Sequence, residues 1–557
     1  MLKITRLFLK SKEFILANKH ILFYVLSFLF FYINSSYISY PDEFSNLLGG
    51  KLMLQGLVPY KDFFDHHMPF GWLLSAFILL FSFGSYTLFR FWWATLAFVA
   101  LSILAIWIKK NYREFYYPVL IYLILYPLMG VYFWFHLVLA DSLAALFISL
   151  VFWILIVQSL TKKIDKKALM VASILIAAIV FSSLTYIYLI GILYLWILYL
   201  FVYDNRSIKE AGKIIGIFFI PYVIFLLYLL FTNSLWDFYN ANVLYNTQHY
   251  ISIPNYVSGR FFNPIKFALA LIYNFYNNYI PLLSQIKHLD LYFPIITLSG
   301  LSTLTLFILL IRKYPTTAVL YFFFLSFSSP RSDIQKVSET NYQMSAFIVI
   351  GVMSSIISLF LIRKYPPKER LFSDLARLVQ VIIFIFLLFS SIFLLNNTYS
   401  KYFLRYTQKM PYIINYTFTS DFLNDIVKRG DYYWIGPFHP EDMFFVRNGR
   451  LPGKYFFLMP QFSEDDFYKQ DFIKQFEANP PQFIVYPRED SIFMTPAIEF
   501  GAFFLDWVDN RYIQLKDIPE VEIIKNPSSI KLRDDIFILK SQKDELLGRL
   551  KDVGYIK

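Results

Sequence analysis

SLAALFISLVFWILIVQSL, residues 142–160, runs without a charge, and Lys162, Lys163, Lys166 and Lys167 close it. About 20 consecutive apolar residues are what an α-helix needs to cross a hydrocarbon layer. A basic cluster at one end marks the cytoplasmic side. The same pattern repeats outward in both directions. Spans are expected at about 21–39, 86–108, 115–133, 142–160, 214–232, 291–311, 316–328, 343–362 and 375–395. Two more fall within 168–203, with a turn near Ser182–Thr185. Residues 69–84 are apolar but short and end in Gly84, which suits a surface or half-embedded helix. Residues 261–290 contain Pro264, Lys266, Pro281 and Lys287 and suit interfacial helices.

Basic residues set the sidedness. Lys3, Arg6, Lys10, Lys12 and Lys19 precede the first span, which is too long and aromatic for a cleaved leader. An uncleaved signal anchor with a cytoplasmic N-terminus follows. Lys109, Lys110 and Arg113, then Arg206, Lys209 and Lys213, keep the alternation. Leu310–Pro315 and Leu361–Pro366 both read Leu-Ile-Arg-Lys-Tyr-Pro and fall on the same side. They read either as a duplicated unit or as two spans obeying one boundary rule. This predicts a polytopic α-helical membrane protein of about 11 transmembrane helices over residues 1–395, with a first external loop at 40–85. Residues 396–557 predict a small soluble extracytoplasmic α/β domain, with strand-prone stretches at Tyr432–Ile435, Tyr455–Leu458 and Phe483–Tyr486 and a helical one at Ser463–Glu477.

Composition agrees. The chain is 57% hydrophobic and 21% aromatic, with mean hydropathy +0.50. Its net charge of +12 is concentrated at span ends, which argues for positive-inside topology rather than nucleic acid. No cysteine is present. That excludes disulfides, thiolate chemistry and cysteine-bound zinc. No phosphate-binding glycine loop of the usual spacing is present either.

The residues with chemistry cluster in the external loops. Asp42 and Glu43 follow the first span directly, at a depth where a carboxylate is costly unless solvated or paired. Adjacent helical side chains do not share a face, so the two are expected to play different parts. The plain alternative is capping, with Asp42 as the cap and Glu43 in the first turn. Lys61 lies on the same loop. His66 and His67 suggest a metal with Asp62 or Asp65, although the spacing matches no closed zinc site and interfacial hydrogen bonding is the alternative. Asp141, near His136, reads either as a helix cap or as part of an acidic cluster with Asp42. Arg331 stands where positive-inside topology disfavours a cation. It reads as a bidentate phosphate clamp or as an ion pair with Asp333 or Glu339, with Lys336 and Tyr342 on the same loop.

The order of these features resembles the GT-C superfamily of membrane glycosyltransferases, in the branch of protein O-mannosyltransferases, aminoarabinose transferases and rhizobial galacturonosyltransferases. Asp42, Glu43, Gly56, Pro59, Tyr60, Asp62, His67, Pro69, Arg90 and Asp141 carry it, over about residues 1–395. The resemblance implies a sugar on polyprenyl phosphate as donor and an extracytoplasmic hydroxyl on protein, lipid or glycan as acceptor. It implies Asp42 as general base with inversion, and Arg331 and His67, with Lys61 and Tyr342, toward the donor phosphate. Glu43 and Asp141 would shape the acceptor side or hold a divalent cation; no other cofactor is implied. The expected setting is a plasma or inner membrane. Two rivals remain open: a transporter or flippase for polyprenyl-linked sugars or lipids, and an inactive GT-C-like protein of envelope assembly.

Overall fold

A computed structural model describes residues 19–203, 208–250, 263–284, 293–330, 341–366, 370–408, 415–525 and 532–557. The chain is dominated by helices: α1 (Lys19–Ser35), α2 (Pro41–Leu54), α3 (Phe70–Ser82), α4 (Tyr86–Asn111), α5 (Tyr116–Phe133), α6 (Ala140–Thr161), α7 (Lys166–Ser182), α8 (Ile187–Tyr203), α9 (Ile208–Phe231), α10 (Pro264–Ser284), α11 (Phe293–Lys313), α12 (Pro315–Ser326), α13 (Ser345–Lys364) and α14 (Arg370–Gln408). Among the described residues, seven helical stretches are long and apolar enough to cross a membrane: Tyr86–Asn111, Ala140–Thr161, Leu184–Val202, Gly212–Phe231, Ile295–Lys313, Tyr342–Lys364 and Ser373–Asn396.

The other four expected crossings coincide with α1, α5, α7 and α12. The shortest, α12, has 12 residues, or about 18 Å of helix against a core of about 30 Å. Pro315 fixes its start, and the chain leaves the helix at Phe327 before Ser328-Ser329-Pro330. The expected turn near Ser182–Thr185 is a break between α7 and a short 3₁₀ turn, Leu184–Tyr186. Residues 69–84 form α3, at 13 residues too short for a full crossing. Residues 264–284 form a single helix, α10.

The chain divides into two compact units. The first takes residues 1–38, 87–225 and 261–413; the second takes 39–86, 226–260 and 414–557. This division does not follow chain order, and the expected boundary at 395/396 falls inside α14, which continues to Gln408.

Within the first unit, burial sorts the helices. The most apolar stretches of α6 and α13 are 94% and 89% buried, whereas those of α9 and α14 are only 17% buried. The outer helices keep apolar side chains such as Phe219, Ile224, Phe384 and Phe389 exposed. An exposed apolar helix face is stable in lipid and not in water, so these faces suit contact with lipid. At the centre, α11 and α13 approach closely enough that a Cβ on Gly351 would lie 2.3 Å from Ser299 Cβ. Small residues that let backbones meet are a common means of joining helices in membranes.

The second unit carries a four-stranded sheet in the order β1-β2-β6-β5. Its strands are β1 (Tyr433–Ile435), β2 (Phe483–Val485), β5 (Tyr512–Gln514) and β6 (Ile536–Leu539), and a two-stranded hairpin is made of β3 (Ser491–Ile492) and β4 (Thr495–Pro496). β1 and β2 run parallel, with Trp434 opposite Ile484; the other sheet pairings are antiparallel. Around it lie α15 (Phe418–Ile426), α16 (Pro440–Phe445), α17 (Asp466–Ala478), α18 (Ala502–Arg511) and α19 (Lys543–Asp552). Trp434 on β1 meets Phe472, Phe476 and Phe504 edge-on, forming the core.

One strand expectation fails. Tyr455–Leu458 is irregular, and all four side chains are buried. A half-buried strand would alternate. Here the backbone groups find scattered partners instead: Tyr455 O accepts from Trp434 Nε1 at 3.0 Å, and Leu458 N donates to Pro437 O at 2.8 Å.

Candidate functional site

The Asp42-Glu43 pair opens α2. Tyr40 is the N-cap residue, in extended conformation, and Pro41 is the first helical residue. Proline suits that position because its missing N–H has no helical partner there. Asp42 and Glu43 are therefore in the first turn, and Asp42 is not the cap expected by the simpler reading. Both carboxylates lie where the helix dipole favours negative charge. Their environments differ. Glu43 is fully buried and accepts a hydrogen bond from the Tyr86 hydroxyl. Asp42 is only partly buried.

Asn46, one turn beyond Asp42, donates to the Asp42 carbonyl at 3.3 Å. Its side chain abuts Gly71, at the start of α3, where an added Cβ would lie 2.3 Å from Asn46 Oδ1. Further along, a Cβ on Gly49 would meet Trp72, and one on Gly50 would meet Ser75 and Ala76. The contacts advance in the same direction on both helices, so α2 and α3 pack in parallel. Their N-terminal ends, with Asp42 on one and the His67-Met68-Pro69 step into the other, lie at the same end of the pair.

The loop joining them is fixed by backbone chemistry. Asp62 Oδ2 accepts from Val58 N at 2.8 Å, while Asp62 N donates to Val58 O at 2.8 Å. Asp62, expected as a weak metal candidate, instead closes its own turn. Tyr60 is buried in a left-handed conformation (φ 68°) and donates to His67 O at 3.1 Å. Lys61 Nζ donates to Thr232 O at 3.3 Å.

Asp65 does what Asp62 does not. It is buried and accepts twice from His67: from the backbone N at 2.9 Å and from ring Nδ1 at 2.7 Å. Burial alone would raise its pKa, but the charge and hydrogen bonds of His67 outweigh that and hold the carboxyl below its ordinary value. A carboxylate on Nδ1–H fixes the tautomer and orientation of the ring; the His67 side chain is one-third exposed. His66 is buried beside it, with ring centroids 4.1 Å apart, and packs on Tyr245. Asp65, His66 and His67 bring one ligand atom each within 4.8 Å of the others, a group that does not include Asp62.

The C-terminal part of the second unit also anchors this loop. Phe64 N donates to Lys454 O at 2.7 Å, and its ring sits among Tyr245, Tyr455, Phe462 and Tyr468. Lys51 on α2 donates to the carbonyls of Phe444 and Val446 at 2.8 and 2.6 Å. Burial pulls its ammonium down to about 8.

The first unit holds the other candidates. Asp141 lies in the first turn of α6, is buried, and accepts from Tyr186 OH at 2.8 Å; Leu139 is the cap residue. Arg90, fully buried, donates to the carbonyls of Tyr37 and Ile38 at 2.9 and 3.3 Å, and His136 Nε2 lies 3.2 Å from Ile38 O. Together they fix the chain just beyond α1. Tyr342 stacks on Trp134, with centroids 5.0 Å apart and planes 13° from parallel. Arg331, Asp333, Lys336 and Glu339 lie outside the described residues. Tyr86, Tyr186 and Lys51 escaped sequence reading because tyrosine and lysine are common at span ends and only long-range packing gives these three a carboxylate or carbonyl partner.

No protein-family model matches the chain, and no curated protein matches it.

Proposed function

We propose that this protein is a membrane glycosyltransferase that moves a sugar from a polyprenyl-phosphate donor to an acceptor hydroxyl. The observation that carries the reading is the shared N-terminal end of α2 and α3, where a partly exposed carboxylate, Asp42, accompanies an imidazole, His67, aligned by buried Asp65. Seven helical stretches among the described residues are fit to cross a bilayer and give a lipid-linked donor a place to reside.

The chemistry assigns one role to each group. Asp42 takes the proton from the acceptor hydroxyl. The oxygen attacks the anomeric carbon, the bond from that carbon to the phosphate oxygen breaks, and polyprenyl phosphate leaves with inversion. Charge grows on the departing phosphate. His67 and the positive ends of the two helices are suited to stabilise it. Glu43, sealed by Tyr86, holds the first turn of α2 rather than reacting. The resemblance to GT-C enzymes supports the same donor class, with the site on the extracytoplasmic face of a plasma or inner membrane.

Mass spectrometry of lipid co-purifying with the protein tests the donor; a polyprenyl-phosphate sugar is expected. Transfer assays with Asp42→Asn test the base. Transport without transfer in the wild type would favour the flippase reading, and neither activity would favour the envelope-assembly reading.

A further inference from the structure

The residue before α16 and the turn before β3 assemble a second ionisable cluster that the reaction above does not use. His439 immediately precedes α16, Glu441 and Asp442 follow in its first turn, and Asp490 stands just ahead of β3. The two ring nitrogens of His439 have different surroundings. Nε2 meets Asp490 Oδ2 at 2.7 Å, a direct hydrogen bond. Nδ1 lies 3.5 Å from Asp442 Oδ2 and 3.9 Å from Glu441 Oε1.

Those two gaps exceed the usual N–H···O distance of about 2.9 Å. They resemble the spacing of atoms that share an ion: ligands about 2.1 Å from a tetrahedral metal lie roughly 3.4 Å from one another. One ligand atom from each of His439, Glu441 and Asp442 falls within 4.8 Å of the others. One further observation points to a cation. Glu441 Oε2 is buried and has no hydrogen-bond partner among the described residues. The Asp442 side chain is nine-tenths buried, faces the same nitrogen and also accepts from the hydroxyls of Thr417 and Thr419. Three carboxylates around one imidazole also leave the cluster negative even when that imidazole is charged.

We propose that His439 Nδ1, Glu441 and Asp442 bind a divalent cation, with Asp490 as the outer carboxylate that holds Nε2–H. An outer carboxylate on a ligating histidine fixes the tautomer that offers its other nitrogen to a metal. Three protein ligands leave room for water or a substrate oxygen. A mixed imidazole and carboxylate set favours zinc or manganese over magnesium or calcium. The ion secures the leading end of α16, whose far end is held by Lys51 through the Phe444 carbonyl.

The test uses the full chain in detergent, stripped with chelator and titrated with Mn²⁺ by electron paramagnetic resonance and with Zn²⁺ by calorimetry. One ion per chain is expected at this cluster. Glu441→Gln/Asp442→Asn should weaken binding by roughly 100-fold or more, and Asp490→Asn by roughly 10- to 100-fold. His67→Gln should leave this binding intact, which separates the cluster from Asp65-His66-His67. Absence of binding in the wild type, equal affinity in the double variant, or loss confined to His67→Gln overturns the proposal. Should the double variant misfold, nitrogen hyperfine coupling to Mn²⁺ decides instead. One coupled nitrogen supports the site if His439→Gln abolishes it; no coupling overturns it.

Discussion

The first turn of α2 and the first turn of α6 use one device to different effect. Each buries a carboxylate at the start of a helix, where the dipole favours it, and closes it with a tyrosine hydroxyl: Glu43 with Tyr86, Asp141 with Tyr186. The α2 turn has a second acid, Asp42, that keeps access to its surroundings. In the α6 turn, Asp141 stands between Ala140 and Ser142 and is itself 1% exposed. A carboxylate sealed by a phenol holds a helix in place; proton transfer needs one that an acceptor can reach. On the proposed reading, Glu43 and Asp141 belong to the architecture and Asp42 to the chemistry.

The largest effect that sharpens this contrast is on Asp42. Asp42→Asn should lower transfer by about 10²- to 10⁴-fold, while Asp141→Asn keeps most of it, as measured with matched donor and acceptor. A collapse of activity in Asp141→Asn with Asp42→Asn still active would reverse the assignment. Next in size are the tyrosines. Tyr86→Phe and Tyr186→Phe each strip a buried carboxylate of a hydroxyl donor. Each should cost about 1–3 kcal/mol, measured by thermal unfolding in detergent. Little or no loss in both would show that the phenols do not anchor these helices.

The third effect is pH-dependent. The folded-state pKa of Asp65 lies below its ordinary value. Its stabilising contribution is thus fully present above pH ~4 and is lost as pH falls through the depressed folded value. Asp65→Asn should flatten the acid limb of the stability profile; an unchanged limb would remove Asp65 from that role. The smallest effect concerns Lys51. Its folded-state pKa is depressed to about 8 from 10.5. A buried ammonium costs stability below pH 8, and that cost is relieved as pH rises from 8 to 10.5. Lys51→Met should erase this alkaline gain, and a gain that persists would point to another group.

The apolar runs were legible because membrane crossing is a one-dimensional demand on length and composition. Among the described residues it is met by seven helical stretches, while α1 and α12 are apolar but shorter. Asp42 and Glu43 were legible as a pair with different surroundings, since adjacent helical residues point apart. Which of them is sealed depends on Tyr86, 43 positions away. The choice between Asp62 and Asp65 turned on backbone hydrogen bonds that residue type does not encode. Tyr455–Leu458 looked like a strand because aromatics favour strands, yet its backbone groups bond to the Trp434 side chain and to Pro437 rather than to a neighbouring strand. Least legible was the second unit, whose parts meet across nearly 400 positions, as between Lys51 and Phe444.

The account rests on Asp42 as the base of a sugar transfer. The most direct measurement is transfer from a purified polyprenyl-phosphate sugar by wild type and Asp42→Asn, with donor binding followed in parallel. The account predicts that the variant still binds donor and unfolds at the wild-type temperature while product formation falls at least 100-fold. Product formation at the wild-type rate in the variant would contradict it.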